Sequence, residues 1–86
     1  MYLRWNDFKT YCVKNNIQLL RDDFRFIERE LINVSPNLHR TLLKDYTDIW
    51  LYEIRNLENS SKKQNLARRI ANTWLREEVL RITKKI

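Results

Sequence analysis

The alternation of apolar and polar positions along the chain predicts four helices. Trp5, Phe8, Tyr11 and Cys12 recur at helical spacing, which gives a first helix from about Trp5 to Asn15. Asn15-Asn16 is its natural stop, because asparagine tolerates the left-handed backbone on which many helices end. Ile17 to Arg21 suits either an extended link or a helical lead-in. Asp22 or Asp23 then serves as an N-cap, accepting hydrogen bonds from free backbone N–H groups. Phe24, Ile27 and Leu31 share one face of a second helix, roughly Asp23 to Ile32, while Phe26 projects from another side. Ser35-Pro36 opens a third helix: serine caps, and proline lacks only an N–H that the first turn leaves unpaired anyway. A stripe of Leu38, Leu42, Tyr46, Ile49, Trp50, Ile54 and Leu57 carries this helix to about Glu58. Leu43 widens the stripe; Leu51 and Tyr52 fall outside it. Glu58-Asn59-Ser60-Ser61 breaks the pattern, and Ser61-Lys62-Lys63-Gln64 reads as a capping box. A fourth helix runs from Lys62 to near the end, with Leu66, Ala67, Ile70, Ala71, Trp74, Leu75 and Ile82 on one face.

Helices three and four, at about 22 to 24 residues, are roughly 33 to 36 Å long at 1.5 Å per residue. The short link between them makes them antiparallel. The two shorter N-terminal helices then cover the seam of this hairpin. The expected fold is all-α, a compact four-helix bundle over residues 1–86, since 86 residues leave no room for a second core. Trp5, Trp50 and Trp74 fall on inward faces and are read as packing. Glu53 and Glu78 fall inside apolar arcs, where a carboxylate needs a partner such as Arg25, Arg29 or Arg81.

Composition removes several functions. The chain has no glycine, so a glycine-rich phosphate loop is excluded. One cysteine excludes an internal disulfide and suits a reducing, cytoplasmic compartment. Cys12 and His39 cannot complete a zinc site, and Asp22-Asp23 alone is weak ground for Mg²⁺. No apolar run approaches the ~20 residues that cross a bilayer, and the first residues lack a signal-peptide core. His39 has no evident orienting partner, and Cys12 sits on an apolar face as an inert thiol. The expectation is a non-enzymatic protein with no cofactor, no metal and no membrane partner.

Charge narrows the reading further. Residues 1–59 hold nine basic and nine acidic side chains, and residues 60–86 hold eight basic and two acidic, so the whole net charge of +6 lies in the last helix. Such asymmetry points to an anionic partner. At 100° per residue, Asn65, Arg69, Asn72, Arg76 and Thr83 fall on one narrow stripe, flanked by Arg68 and Lys62. Each member donates hydrogen bonds and none is acidic. Arginine forks suit phosphate, and asparagine can read an adenine edge. Lys62, Lys63, Asn65, Arg68, Arg69, Asn72, Arg76, Lys84 and Lys85 are therefore the candidate nucleic-acid contacts. DNA is preferred over RNA only because no aromatic RNA-binding signature is visible.

Two weaker patterns accompany this one. Val34-Ser35-Pro36 followed by Leu38, Arg40 and Leu42 resembles the turn and recognition helix of helix-turn-helix proteins, which would aim Asn37, Arg40, Thr41 and Lys44 at bases and phosphates. Glu28, Arg29 and His39 stand where that motif places apolar or small residues, so a plain capped helix start is the preferred reading. Tyr2, Phe26, Leu51, Tyr52 and Leu80 are left off the core stripes and are the candidates for exposure. Together they would mark a protein interface, most simply a homodimer. The alternative function is accordingly an adaptor or inhibitor that caps an acidic partner surface.

Overall fold

A computed structural model describes residues 5–55 and 61–84. Four helices make up the fold: α1 (Trp5–Lys14), α2 (Arg21–Leu31), α3 (Pro36–Arg55) and α4 (Ser61–Thr83). No strand occurs among the described residues. Expectations on Tyr2, Leu57, the Glu58–Ser60 break, Lys85, and the side chains of Trp5 and Ser61 lie outside what is described.

α1 ends as the sequence predicts. Asn16 takes the left-handed backbone (φ 58°) that glycine would take in other chains. The Ile17 N–H donates to the Cys12 carbonyl at 2.9 Å and the Asn16 N–H to the Val13 carbonyl at 3.2 Å. This is a Schellman motif, and the buried Ile17 beside the buried Cys12 supplies its usual apolar contact. Residues 17–20 link α1 to α2 without regular structure: the Leu19 N–H donates to the Ile17 carbonyl at 3.1 Å, and Leu20 is extended where it enters α2.

The start of α2 differs from expectation. The helix begins at Arg21, so Asp23 is its third residue and not its cap. Its carboxylate reaches back to accept the Leu20 N–H at 2.8 Å. α3 begins at Pro36, as the Ser35-Pro36 pair predicts. His39 Nε2 lies 2.9 Å from the Val34 carbonyl and 3.0 Å from that of Leu31, which ties the start of α3 to the end of α2.

α3 and α4 form the antiparallel hairpin. Tyr46 bonds to Asn72, and Trp50, one turn further along α3, bonds to Gln64, two turns back along α4. α2 lies against α4, and Phe8 of α1 meets Phe24 of α2 edge to face at 6.3 Å. One buried cluster draws on all four helices: Phe8 and Cys12, then Ile27 and Leu31, then Leu42, Leu43, Tyr46, Trp50 and Ile54, then Ala67, Ala71, Leu75 and Val79. Trp50 and Tyr46 are fully enclosed and are its largest members. Burial pushes the Cys12 thiol up to about 12, which makes it unreactive at neutral pH.

Candidate nucleic-acid interface

The site is built outward from the buried side of α4. Ala67 and Ala71 are fully buried, and their small side chains let α4 pack closely against its neighbours. Gln64, Leu75 and Val79 complete this arc. It is turned by about 60°, a little over half the 100° step between residues, from the face that the large apolar residues predict. Leu66, Ile70 and Trp74 are therefore only half-buried, and Arg68 is drawn into the arc.

Arg68 is held there by charge and geometry. Its Nε donates to Asp23 Oδ2 at 2.6 Å, its Nη2 to the Gln18 carbonyl at 2.6 Å and its Nη1 to Asn65 Oδ1 at 2.6 Å. The guanidinium lies 5.3 Å from the centre of the Trp50 ring. Asn72 sits one turn on: its Oδ1 accepts the Tyr46 hydroxyl at 2.5 Å, and its Nδ2 donates to Asp23 Oδ1 at 3.3 Å. Burial, and next the nearby Asp23 charge, push the Tyr46 phenol well above its ordinary range, so it remains a donor.

Gln64 has partners well beyond the first turn of α4. It is buried, with Oε1 accepting Trp50 Nε1 at 2.8 Å and the Gln18 N–H at 3.3 Å, while Nε2 donates to the Asn16 carbonyl at 2.9 Å. Asp23 is likewise engaged by Arg68, Asn72 and the Leu20 N–H rather than open to a cation. Among the described residues no group of three or more His, Cys, Asp or Glu is placed to hold a metal ion. No buried side-chain N or O among them lacks a partner.

Outside this network lies an open cleft of about 380 Å³ between α2 and α4. Phe26 lines its α2 side; Asn65, Arg68, Arg69, Asn72, Thr73 and Arg76 line its α4 side. The network sets the polarity of that wall. The side-chain oxygens of Asn65 and Asn72 both accept bonds from protein donors. Each amide therefore has N–H left over for the cleft. Arg69 and Arg76 are exposed and form no ion pair with another described residue. Among the described residues no acidic side chain lines the cleft. Its α4 wall is thus almost wholly a donor surface, with the Thr73 hydroxyl as the one group able to act both ways. On α2, by helical register, Arg29 lies one turn beyond Phe26, with Asp22 and Glu30 a turn to either side.

No family model, curated protein or solved structure matches the chain. The reading of the site therefore rests on its own residues.

The remaining predicted residues divide between surface and interior. Lys62 and Lys84 are exposed and Lys63 is half-buried; Thr83 turns its hydroxyl back to the Val79 carbonyl at 2.9 Å. Arg68 and Asn72 serve the interior first, which sequence spacing alone does not reveal. Thr73 and Asp23 are the residues that sequence reading missed: Thr73 carries no charge, and Asp23 looked like a cap. Asn37, Arg40, Thr41 and Lys44 are all exposed on α3. Lys44 pairs with Asp48 at 2.9 Å, a hydrogen bond that raises the ammonium pKa. Arg40 and Lys44 share an α1/α3 groove of about 490 Å³ with Asp7 and Asp48, so that surface carries both signs. Of the apolar residues left off the core stripes, Phe26 lines the α2/α4 cleft, Leu51 is half-buried, and Tyr52 and Leu80 are exposed on α3 and α4. Glu78 pairs with Arg81, as the need for a partner anticipates. No helix among the described residues is long and apolar enough to cross a membrane.

Proposed function

We propose that this chain is a nucleic-acid-binding module that docks the outer row of α4 on phosphates. The observation that carries the reading is the donor wall. Asn65, Arg69, Asn72 and Arg76 present N–H groups along about three turns of one helix, and no acid among the described residues interrupts them in the cleft. A phosphodiester strand is the complement of such a wall, since it is anionic and offers only acceptors along its edge. The net +6 of the chain adds long-range attraction for a polyanion. DNA remains the first ligand to test.

Binding to a labelled random-sequence duplex at two salt concentrations examines this reading. Affinity should fall steeply with salt, with a log–log slope near 0.9 per phosphate contact. Arg69→Ala combined with Arg76→Ala should weaken binding more than tenfold while the thermal midpoint stays unchanged. Binding that persists in that variant moves the interface elsewhere, and no binding even at low salt removes duplex DNA as the ligand.

A second reading, a protein partner or second copy, draws on Leu66, Ile70 and Trp74, which stay half-exposed on α4 with the half-buried Ile49 on α3. Sedimentation across a range of concentrations measures self-association directly. A constant monomer mass disposes of the homodimer.

A further inference from the structure

Resting on the nucleic-acid reading, we propose that the α2/α4 cleft takes a nucleotide of a single strand, its base against Phe26 and its phosphates on Arg69 and Arg76. The cleft joins two chemistries that a paired duplex does not present together. Its α4 wall is cationic and donor-rich, which any phosphate backbone satisfies. Its α2 wall is an aromatic ring that is only half-buried although it packs against the core. In a duplex the faces of the bases are stacked on one another, so a protein ring reaches a base face only where the strand is unpaired.

The dimensions agree with a single residue of the strand. A cleft of about 380 Å³ lies in the ordinary range for small-ligand pockets, and it is open at the side, as a continuing chain requires. Arg69 and Arg76 are seven residues apart on α4, about 10.5 Å along the helix axis, so they stand as two separate anchors along the same groove. Between them Asn72 is fixed by Tyr46 and Asp23, so one wall of the cleft is set before any ligand arrives. Its remaining amide N–H, with that of Asn65, suits the acceptor oxygens of a base or sugar. Rigid donors beside a ring lower the ordering cost of binding.

The test compares labelled oligo-dT with a duplex containing the same strand, using the full chain. Single-stranded affinity should exceed duplex affinity. Phe26→Leu removes the ring but keeps an apolar side chain, and should weaken oligo-dT binding about five- to 150-fold while leaving duplex binding unchanged. Phe26→Trp keeps a stacking surface and should bind oligo-dT at least as well as the parent, which separates stacking from a folding defect. Equal loss on both ligands, or no loss on oligo-dT, overturns the single-strand proposal. In either case the duplex salt slope and the Arg69/Arg76 variant still report on the broader reading. If Phe26→Leu lowers the thermal midpoint, Phe26→Trp decides: loss of oligo-dT binding by a folded tryptophan variant also overturns the proposal.

Discussion

Arg68 and Arg69 are neighbours in sequence and chemically identical, but α4 delivers them to different surroundings. Arg68 turns inward, with its side chain 17% exposed, and bonds to Asp23, the Gln18 carbonyl and Asn65. Arg69 stands in solvent at the edge of the α2/α4 cleft with no ion-pair partner among the described residues. A single 100° step separates a charge that organises the fold from one left free for a ligand. A basic segment therefore contributes fewer binding groups than its count of lysines and arginines suggests. The inward members still shape the site, because they fix which atoms of their neighbours face out.

The contrast can be broken most severely at Trp50, the buried ring under Arg68. Trp50→Ala should cost about 3–5 kcal/mol in urea unfolding, from the lost packing and the cavity left behind. It also removes the donor to Gln64 Oε1. A change below about 1 kcal/mol would place the ring outside the core. Next in size is the arginine pair itself. Arg68→Ala leaves the buried Asp23 carboxylate without its cationic partner and should cost about 3 kcal/mol, whereas Arg69→Ala should stay within about 0.5 kcal/mol. A double-mutant cycle between Asp23 and Arg68 should return a coupling above about 1 kcal/mol, and additive effects would mean the pair is incidental. Near neutral pH the last effect vanishes, because it is one of pH. The folded Cys12 thiol is pushed up to about 12 from an ordinary value near 9. Its contribution is complete below about pH 9 and is lost as pH rises towards 12, because the unfolded chain ionises first. Tyr46, also pushed up by burial, acts in the same direction. Stability of the parent should therefore decline more steeply than that of Cys12→Ala across this range, and parallel curves would show the thiol to be solvated.

The helix order, the hairpin and the sharp boundaries at Asn16 and Pro36 were legible because they depend on local chemistry. Asparagine was the residue best able to take the left-handed backbone in a chain without glycine, and proline can stand only in a few places. The facing of α4 was less legible. Large side chains at Leu66, Ile70 and Trp74 dominate any hydrophobic pattern, yet helix–helix approach is set by the small Ala67 and Ala71. What rotates Arg68 inward is Asp23, 45 residues earlier on another helix. No periodicity within α4 carries information about that carboxylate. The outward stripe of Asn65, Arg69 and Arg76 survived the rotation because a turn of about 60° still leaves it roughly 120° from the centre of the buried arc, on the exposed side of α4. The aromatic wall supplied by Phe26 was out of reach for the same reason as Asp23: its neighbours lie 39 to 50 positions away.

The bonds that Gln64 and Arg68 make to Asn16 and Gln18 also bear on how the molecule comes to be made. They join positions 46 to 50 residues apart, and they satisfy backbone groups of the link between α1 and α2. During synthesis that link leaves the ribosome well before its partners exist. Until α4 has been translated, water must serve those groups, and the first two helices have no fixed seat. Contacts of such long range form late, since a large loop must close before they are gained. The fourth helix is thus the one that completes the link between the first two, and a ribosome halted before residue 64 would hold those two helices with their link still unfastened.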